Sequence, residues 1–257
     1  MLTTQNIAKD TLTARAAPRF GDAMASLPEN MRPQAAPRTW ETVFDVFPKS
    51  GRVLNVGAGR GGISWLLHNA GYELTSLDLH PEHFVADGLE CLGADLNRDL
   101  PLNDGLFDVV LAVEVIEHLE NPWHFIRESV RVLADNGTLI VTTPNVASLH
   151  SRLNYMANGI LPYFREDSFV GCYHVTPIFP WAMERCCSTT TATIETVKYS
   201  RTDWPLHNDI PRHDGGYGLR RKLLDLLPLN QLTGEIACYV IRKTSSKPSV
   251  VVGVHTQ

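Results

Sequence analysis

The chain has 257 residues, 44% of them hydrophobic and 20% charged, with 23 Lys and Arg against 28 Asp and Glu for a net charge of −5. That composition belongs to an ordinary globular protein, long enough for one α/β domain with additions. The acidic balance argues against a non-specific nucleic-acid binder, which neutralises phosphates with dense Lys and Arg. The one compact basic run, Arg220-Arg221-Lys222, reads as a solvated helix face.

In chain order, residues 1–37 are rich in Ala, Pro and polar side chains and are expected to form a flexible arm or lid. Trp40, Val43, Phe44 and Phe47 then stand at helical spacing over 39–47, and Pro48 stops the helix. The run VLNVGAGRGG, Val53 to Gly62, takes a strand-like segment straight into a glycine turn. A helix over 62–69 follows, then a strand over 73–79 with Asp78 near its end. Strand, glycine turn and helix bring backbone N–H groups and a helix N-terminus against a nucleotide-like ligand. An acid about twenty residues downstream suits both ribose hydroxyls.

Further strands are expected at 89–92, 107–113 and 138–143, and a helix at 122–133 with Asn121 as N-cap and Pro122 in its first turn. Pro144-Asn145 opens a stretch read as irregular to about residue 180. Strands at 192–200 and 234–243 flank a Pro/His/Gly-rich loop and a helix through Leu227, and residues 244–257 read as a disordered tail. Alternation of strands and helices predicts βαβ units and a parallel sheet, with ligands at the carboxyl ends of the strands.

The five cysteines are an odd number without C-x-x-C spacing. Cys186 and Cys187 are adjacent, which disfavours a bridge between them, and Cys91 and Cys238 read as buried small hydrophobes. A reducing, cytoplasmic setting fits this usage. No apolar run reaches transmembrane length, and the first twenty residues lack the apolar centre of a secretory signal.

On these motifs the chain resembles the class I S-adenosylmethionine-dependent methyltransferases, in the group that includes the ubiquinone-pathway O-methyltransferases. The resemblance runs from about residue 51 to 145 and continues more weakly to 243. It implies a Rossmann-like α/β sandwich over residues 38–243, a mostly parallel seven-stranded sheet with helices on both faces. It also implies S-adenosylmethionine as cofactor. VLNVGAGRG would wrap its methionine end through Asn55, Gly57, Ala58 and Gly59. Asp78 and Leu79 would take the ribose. GADLNRDLPLNDGLFDVV would set Asp95 and Leu96 against adenine. FDVVLAVEVIEHLENP would supply the fourth strand and the loop with Glu114 beneath the methyl group, and GTLIVTTPN the fifth strand. One departure stands out: Asn55 occupies a position where that family usually carries an acid.

If Glu114-Val115-Ile116-Glu117-His118 makes one helical turn, Glu114, Glu117 and His118 share a face. Two carboxylates and an imidazole suit Mg²⁺ or Mn²⁺. The run is similar to one in the small-RNA 3′-end 2′-O-methyltransferases, where a later histidine completes the set; His174 in CYHVTPIF takes that place here. Such an ion would acidify an acceptor hydroxyl. Without metal, Glu117 positions the loop and His118 or His174 serves as general base.

The acceptor site is expected from the arm, residues 146–180 and the loop 203–218. These stretches carry Tyr155, Tyr163, Phe164, Phe169, Tyr173, Phe179, Trp181 and Trp204, with His207 and His213 as further contacts. The Glu/His cluster favours oxygen methylation of a small metabolite or a glycan hydroxyl. The alternatives are a catalytically silent cofactor-binding subunit that regulates a partner, an RNA 3′-end 2′-O-methyltransferase, and nicotinamide-dinucleotide redox chemistry. The sequence does not speak to oligomeric state.

Overall fold

A computed structural model describes residues 24–200 and 229–245. The expected loop 203–218, the basic run 220–222, Trp204, His207, His213 and the tail beyond 245 lie outside the described residues, as do residues 1–23 of the arm.

Helix α1 (Pro37–Phe44) precedes strand β1 (Arg52–Val56), helix α2 (Gly62–Asn69) and strand β2 (Glu73–Asp78). Strands β3 (Cys91–Gly93) and β4 (Phe107–Val113) follow, then α3 (Pro122–Val132) and β5 (Leu133–Pro144). Helices α4 (Leu149–Asn158), α5 (Glu166–Cys172) and α6 (Pro180–Ser188) lead to β6 (Ala192–Tyr199). A short helix α7 (Leu229–Thr233) precedes the last strand, β7 (Ile236–Lys243).

The seven strands form one sheet in the order β3-β2-β1-β4-β5-β7-β6. The pairs from β3 to β5 are parallel, whereas β7 runs antiparallel to both β5 and β6. Alternation along each central strand sends side chains to two cores. Val53, Val109, Leu111 and Ile140 meet Trp40, Val43, Ile63 and Leu67 of α1 and α2. Leu54, Val56, Val110 and Val141 meet Phe125, Ile126, Met183 and Cys186 of α3 and α6. Both faces of the sheet are therefore covered by helices, as the sequence predicted.

Several expectations change in detail. The stretch expected to be irregular up to residue 180 holds α4, α5 and the start of α6. Its apolar residues are scattered rather than striped: α5 buries no side chain and α4 buries only Ser151, so periodicity carried no signal. The fifth strand begins at Leu133, five residues early, because Asn136 at φ +62° lets the chain bulge and stay paired to β4. Helix α1 ends at Phe44, yet Phe47 still joins the aromatic run Trp40–Phe44–Phe47–Tyr72 at ring separations of 5.8, 6.1 and 5.5 Å. All five cysteines are free thiols; Cys186, Cys187 and Cys238 are buried, while Cys91 is only half-buried.

Candidate cofactor cleft and acceptor site

A cleft of about 620 Å³ opens over the carboxyl ends of β1, β2 and β4. Its wall carries every residue assigned above to the cofactor: Asn55, Gly57, Ala58, Gly59, Asp78, Leu79, Asp95, Leu96 and Glu114. The glycine turn is built by left-handed backbone at Gly57, Gly59 and Gly61, with φ of +67°, +55° and +88°. A Cβ on Gly57 would stand 2.5 Å from Val115 Cγ2, so the close approach of this turn to the β4 loop requires glycine. A Cβ on Gly59 would meet nothing within 4 Å, which leaves that face of the turn open to a ligand.

Asp78 closes the turn from the β2 side. Its Oδ2 accepts the Gly59 N–H at 2.7 Å and its Oδ1 accepts the His80 N–H at 2.9 Å. Asp95 accepts from the Asn97 N–H at 2.9 Å and from Arg98 Nε at 3.1 Å, and these contacts hold its carboxyl below the usual carboxylate range, the Asn97 amide most of all. Asn97 in turn accepts the N–H groups of Glu120 and Asn121 at 2.9 and 3.0 Å, tying the Asp95 turn to the loop before α3. Asn55 is buried and donates to Ser64 Oγ at 3.0 Å, and Ser64 Oγ meets Ser76 Oγ at 2.9 Å. This chain of neutral groups crosses from β1 through α2 to β2.

At the far end of the cleft the Glu114–His118 run departs from the single helical turn expected for it. Glu114 adopts φ +53°, and only Ile116–His118 form a turn, of the tighter 3₁₀ type. Glu114 therefore leaves the face of Glu117 and His118. Thr142 Oγ1 accepts its N–H at 2.9 Å and donates to its Oε1 at 2.7 Å. Burial pushes the Glu114 carboxyl up to about 7.

The structure instead brings Glu117 together with His118 and His174, each offering one ligand atom within 4.8 Å of the others. Glu117 is fully buried, and neither carboxylate oxygen has a hydrogen-bond partner. Burial, reinforced by the Glu114 charge, holds its carboxyl well above the ordinary value. His118 Nδ1 lies 3.2 Å from the Tyr173 carbonyl and His174 Nδ1 lies 2.8 Å from the Tyr163 carbonyl. A carbonyl only accepts, so each Nδ1 carries a proton and Nε2 is the ring nitrogen left to act as a base or ligand. Burial and the neighbouring His174 lower the His118 pKa, which keeps that ring neutral near pH 7. The loop is pinned from both sides, since the Glu117 carbonyl accepts the N–H groups of Val175 and Thr176, each at 3.0 Å.

Several cleft residues escaped sequence reasoning. Met31–Ala36 and Trp40 form one wall, where composition had indicated only a loose arm. Among the aromatics proposed for the acceptor, Tyr163 lines the cleft, whereas Tyr155, Phe169, Tyr173 and Trp181 are exposed and absent from its lining. Cys172 and Glu235 also line it, and Glu235 does so because β7 is inserted beside β5. No local pattern marks that long-range placement.

The glycine spacing does not separate the two nucleotide readings, since Gly57, Gly59 and Gly62 also satisfy G-x-G-x-x-G. The sheet does, because the dinucleotide fold has the order 3-2-1-4-5-6 without an antiparallel strand inserted after the fifth.

Known proteins agree with that topology. The family pattern described as "Methyltransferase domain" matches residues 54–141. The chain is 35% identical over 104 residues to the ubiquinone biosynthesis O-methyltransferase of Caulobacter sp. (strain K31), covering 37% of this chain and 41% of that protein. It is 37% identical over 106 residues to ajmaline N-methyltransferase of Rauvolfia serpentina, covering 36% of each. The structure of a SAM-dependent methyltransferase from Archaeoglobus fulgidus superposes with a TM-score of 0.57 at 19% identity, over 78% of this chain and 89% of that one. The match thus spans about two fifths of the length of these curated relatives.

Residues 54–141 are thus similar to a methyltransferase domain, and the described residues share the fold of a solved SAM-dependent methyltransferase. That matched segment runs from β1 into β5 and carries Asn55, Gly57, Asp78, Asp95 and Glu114 of the cleft wall. No helix among the described residues is long and apolar enough to cross a membrane.

Proposed function

We propose that this protein transfers the methyl group of S-adenosylmethionine to an oxygen of a small-molecule or glycan acceptor. The observation that carries the reading is the single cleft that joins all nine expected cofactor residues to His118 and His174 at its far end. The open face of Gly59 and the carboxylate of Asp78 fit a ribose there. Methyl transfer is an in-line displacement, so the protein's chief tasks are alignment and removal of the hydroxyl proton. Trp40 and Met31–Ala36 close one side of the cleft, and Tyr163 faces the acceptor end. With their Nδ1 atoms committed to carbonyls, His118 and His174 present Nε2 as the groups that accept the acceptor's proton.

Glu117, His118 and His174 also fit a divalent cation. The two carboxylate oxygens of Glu117 are buried without a donor, and a histidine whose Nδ1–H is held by a carbonyl is the usual form of a metal ligand. When bound, Mg²⁺ or Mn²⁺ would lower the pKa of an acceptor hydroxyl. Glu114 stays outside this set and faces the cofactor. The domain limits follow the same reading: residues 38–243 as the methyltransferase domain, the preceding arm as a wall of the cleft, and 146–180 as the acceptor lid.

The first test is calorimetric titration with S-adenosylhomocysteine. Saturable binding near micromolar strength, about −8 kcal/mol, supports the reading and justifies an acceptor screen by mass spectrometry. Absence of heat overturns it. Chelated enzyme assayed with and without Mn²⁺ then tests the cation, and unchanged turnover removes it from the mechanism.

A further inference from the structure

The last strand brings to the cleft a charge for which the methyl-transfer reading has no task. Strand β7 lies antiparallel beside β5 with Ile236 opposite Pro144, so residue 235 stands just past the carboxyl end of β5. Glu235 is exposed there and lines the cleft together with Tyr163, His118 and His174. Among the described residues, no salt bridge ends on its carboxylate.

Its position is built in by Asn145, which is buried at the end of β5. The Asn145 N–H donates to the Glu235 carbonyl at 2.7 Å. The Asn145 side chain donates to the carbonyls of Gln231 and Gly234 at 2.7 and 2.8 Å, and its Oδ1 accepts the Ala147 N–H at 3.2 Å. One buried amide, fully satisfied, therefore clamps the approach to β7 in a single geometry. Burial first, then the charges of Glu235 and Glu114, push the Tyr163 phenol up to about 12. Glu235 thus stands near enough to act on a group at the acceptor end of the cleft.

The cleft is also divided in charge. Its two arginines, Arg32 and Arg60, stand at the arm and the glycine turn, and each donates Nε to a carbonyl of the arm, Leu27 or Asn30. From β4 to β7 the lining carries Glu114 and Glu235 and no Lys or Arg. Glu114 is tied to Thr142, so Glu235 is the carboxylate left to meet a ligand. A carboxylate or phosphate on the acceptor would face like charge at this end, whereas a cation would be drawn in.

We infer that Glu235 selects an acceptor bearing an ammonium group and pairs with that ammonium while a nearby hydroxyl is methylated. The hydroxyl oxygen takes the methyl carbon, the carbon–sulfur bond breaks to leave S-adenosylhomocysteine, and the proton passes to a histidine Nε2. This inference rests on the methyl-transfer reading above and narrows its acceptor to a hydroxylated amine.

The test assays methylation of tyramine, tyrosol and 4-hydroxyphenylacetate, which end in an ammonium, an alcohol and a carboxylate, and of glucosamine beside glucose. Mass spectrometry locates the methyl group. An amine should be preferred to its neutral analogue, and added salt should narrow the preference. Glu235→Gln should raise KM for that amine about three- to tenfold, the worth of a partly exposed ion pair, with kcat within about twofold. Glu235→Lys should turn the preference towards the carboxylate. S-adenosylhomocysteine should bind both variants as it binds wild type, which shows that they are folded. The inference is overturned if a protein that binds S-adenosylhomocysteine methylates neither amine, methylates nitrogen, prefers the neutral or acidic analogue, or keeps its KM in Glu235→Gln. A wild-type protein that binds no S-adenosylhomocysteine overturns the methyl-transfer reading itself, a separate result.

Discussion

The imidazoles of His118 and His174 meet edge to face, with ring centroids 4.8 Å apart. Fifty-six positions separate them in the chain, and each is oriented by a carbonyl of the stretch after β5, Tyr173 for one and Tyr163 for the other. Behind them lies the unpartnered carboxyl of Glu117. Three groups that are ordinary by themselves come together because residues 173–176 return onto the β4 loop.

The Glu117 carboxyl is a cost to the metal-free protein, since a buried acceptor without a donor loses about 1–3 kcal/mol. Glu117→Met, an apolar side chain of similar size, is therefore expected to raise the melting temperature of chelated protein. Mn²⁺ should raise the melting temperature of wild type and leave the variant unmoved, because a ligand stabilises only the state that binds it. Thermal shift with and without Mn²⁺ reads both effects. A variant that gains as much from the ion as wild type removes Glu117 from the ligand set.

Asp78 holds the glycine turn through Gly59 and is the only carboxylate at the end of β2. Asp78→Asn should weaken S-adenosylhomocysteine by about ten- to hundredfold, the worth of a hydrogen bond to a charged group. Calorimetry checks this, and an unchanged affinity would place the ribose elsewhere.

Gly57 and Gly59 share a left-handed backbone but face different surroundings. Gly57→Ala drives a methyl into Val115 and should cost about 1–3 kcal/mol, read as a clear fall in melting temperature. Gly59→Ala meets open space within the protein, so it should lose less stability and more cofactor affinity. Reversal of that order between the two variants would show that the open face of Gly59 is not where the ligand lies.

Glu128 ties α3 to the loop that precedes β4. It accepts the Leu100 N–H at 2.8 Å and pairs with Arg131 at 2.7 Å, and Arg131 also donates to the Leu100 and Leu102 carbonyls. Arg131, more than any other neighbour, lowers the Glu128 pKa, so the folded state binds this proton less readily than the unfolded chain. Its stabilisation is therefore complete above the unfolded value, about 4.3, and is lost as pH falls through the lower folded value. Glu128→Gln should cost about 1–3 kcal/mol at pH 7 and flatten the loss of stability below about pH 4.5. Denaturant titrations at pH 7 and pH 3.5 measure it, and equal costs at both would deny the pair its role.

The first half of the domain was legible in the chain because its signals are local. The helix at Gly62–Asn69 and the strand at Phe107–Val113 begin and end where glycine, proline and apolar runs place them. The stretch from residue 149 to 172 was not legible. Helices α4 and α5 turn most of their residues to solvent, so no apolar stripe announced them, and Tyr155, Phe169 and Tyr173 proved to be surface groups rather than pocket walls.

By itself, then, the sequence determined the βαβ order, the glycine turn and the acid at the end of β2, since each rests on neighbours within a few residues. It also named five ionisable groups that line the cleft or cluster at its far end: Asp78, Glu114, Glu117, His118 and His174. Only the tertiary structure decided how they divide. A positive φ at Glu114 and a 3₁₀ turn at Ile116–His118 separate Glu114 from Glu117, and bonds to main-chain carbonyls some fifty residues later orient His118 and His174 towards each other. Backbone handedness at one residue and the return of a distant loop are set by packing around the whole sheet, and no local pattern encodes them.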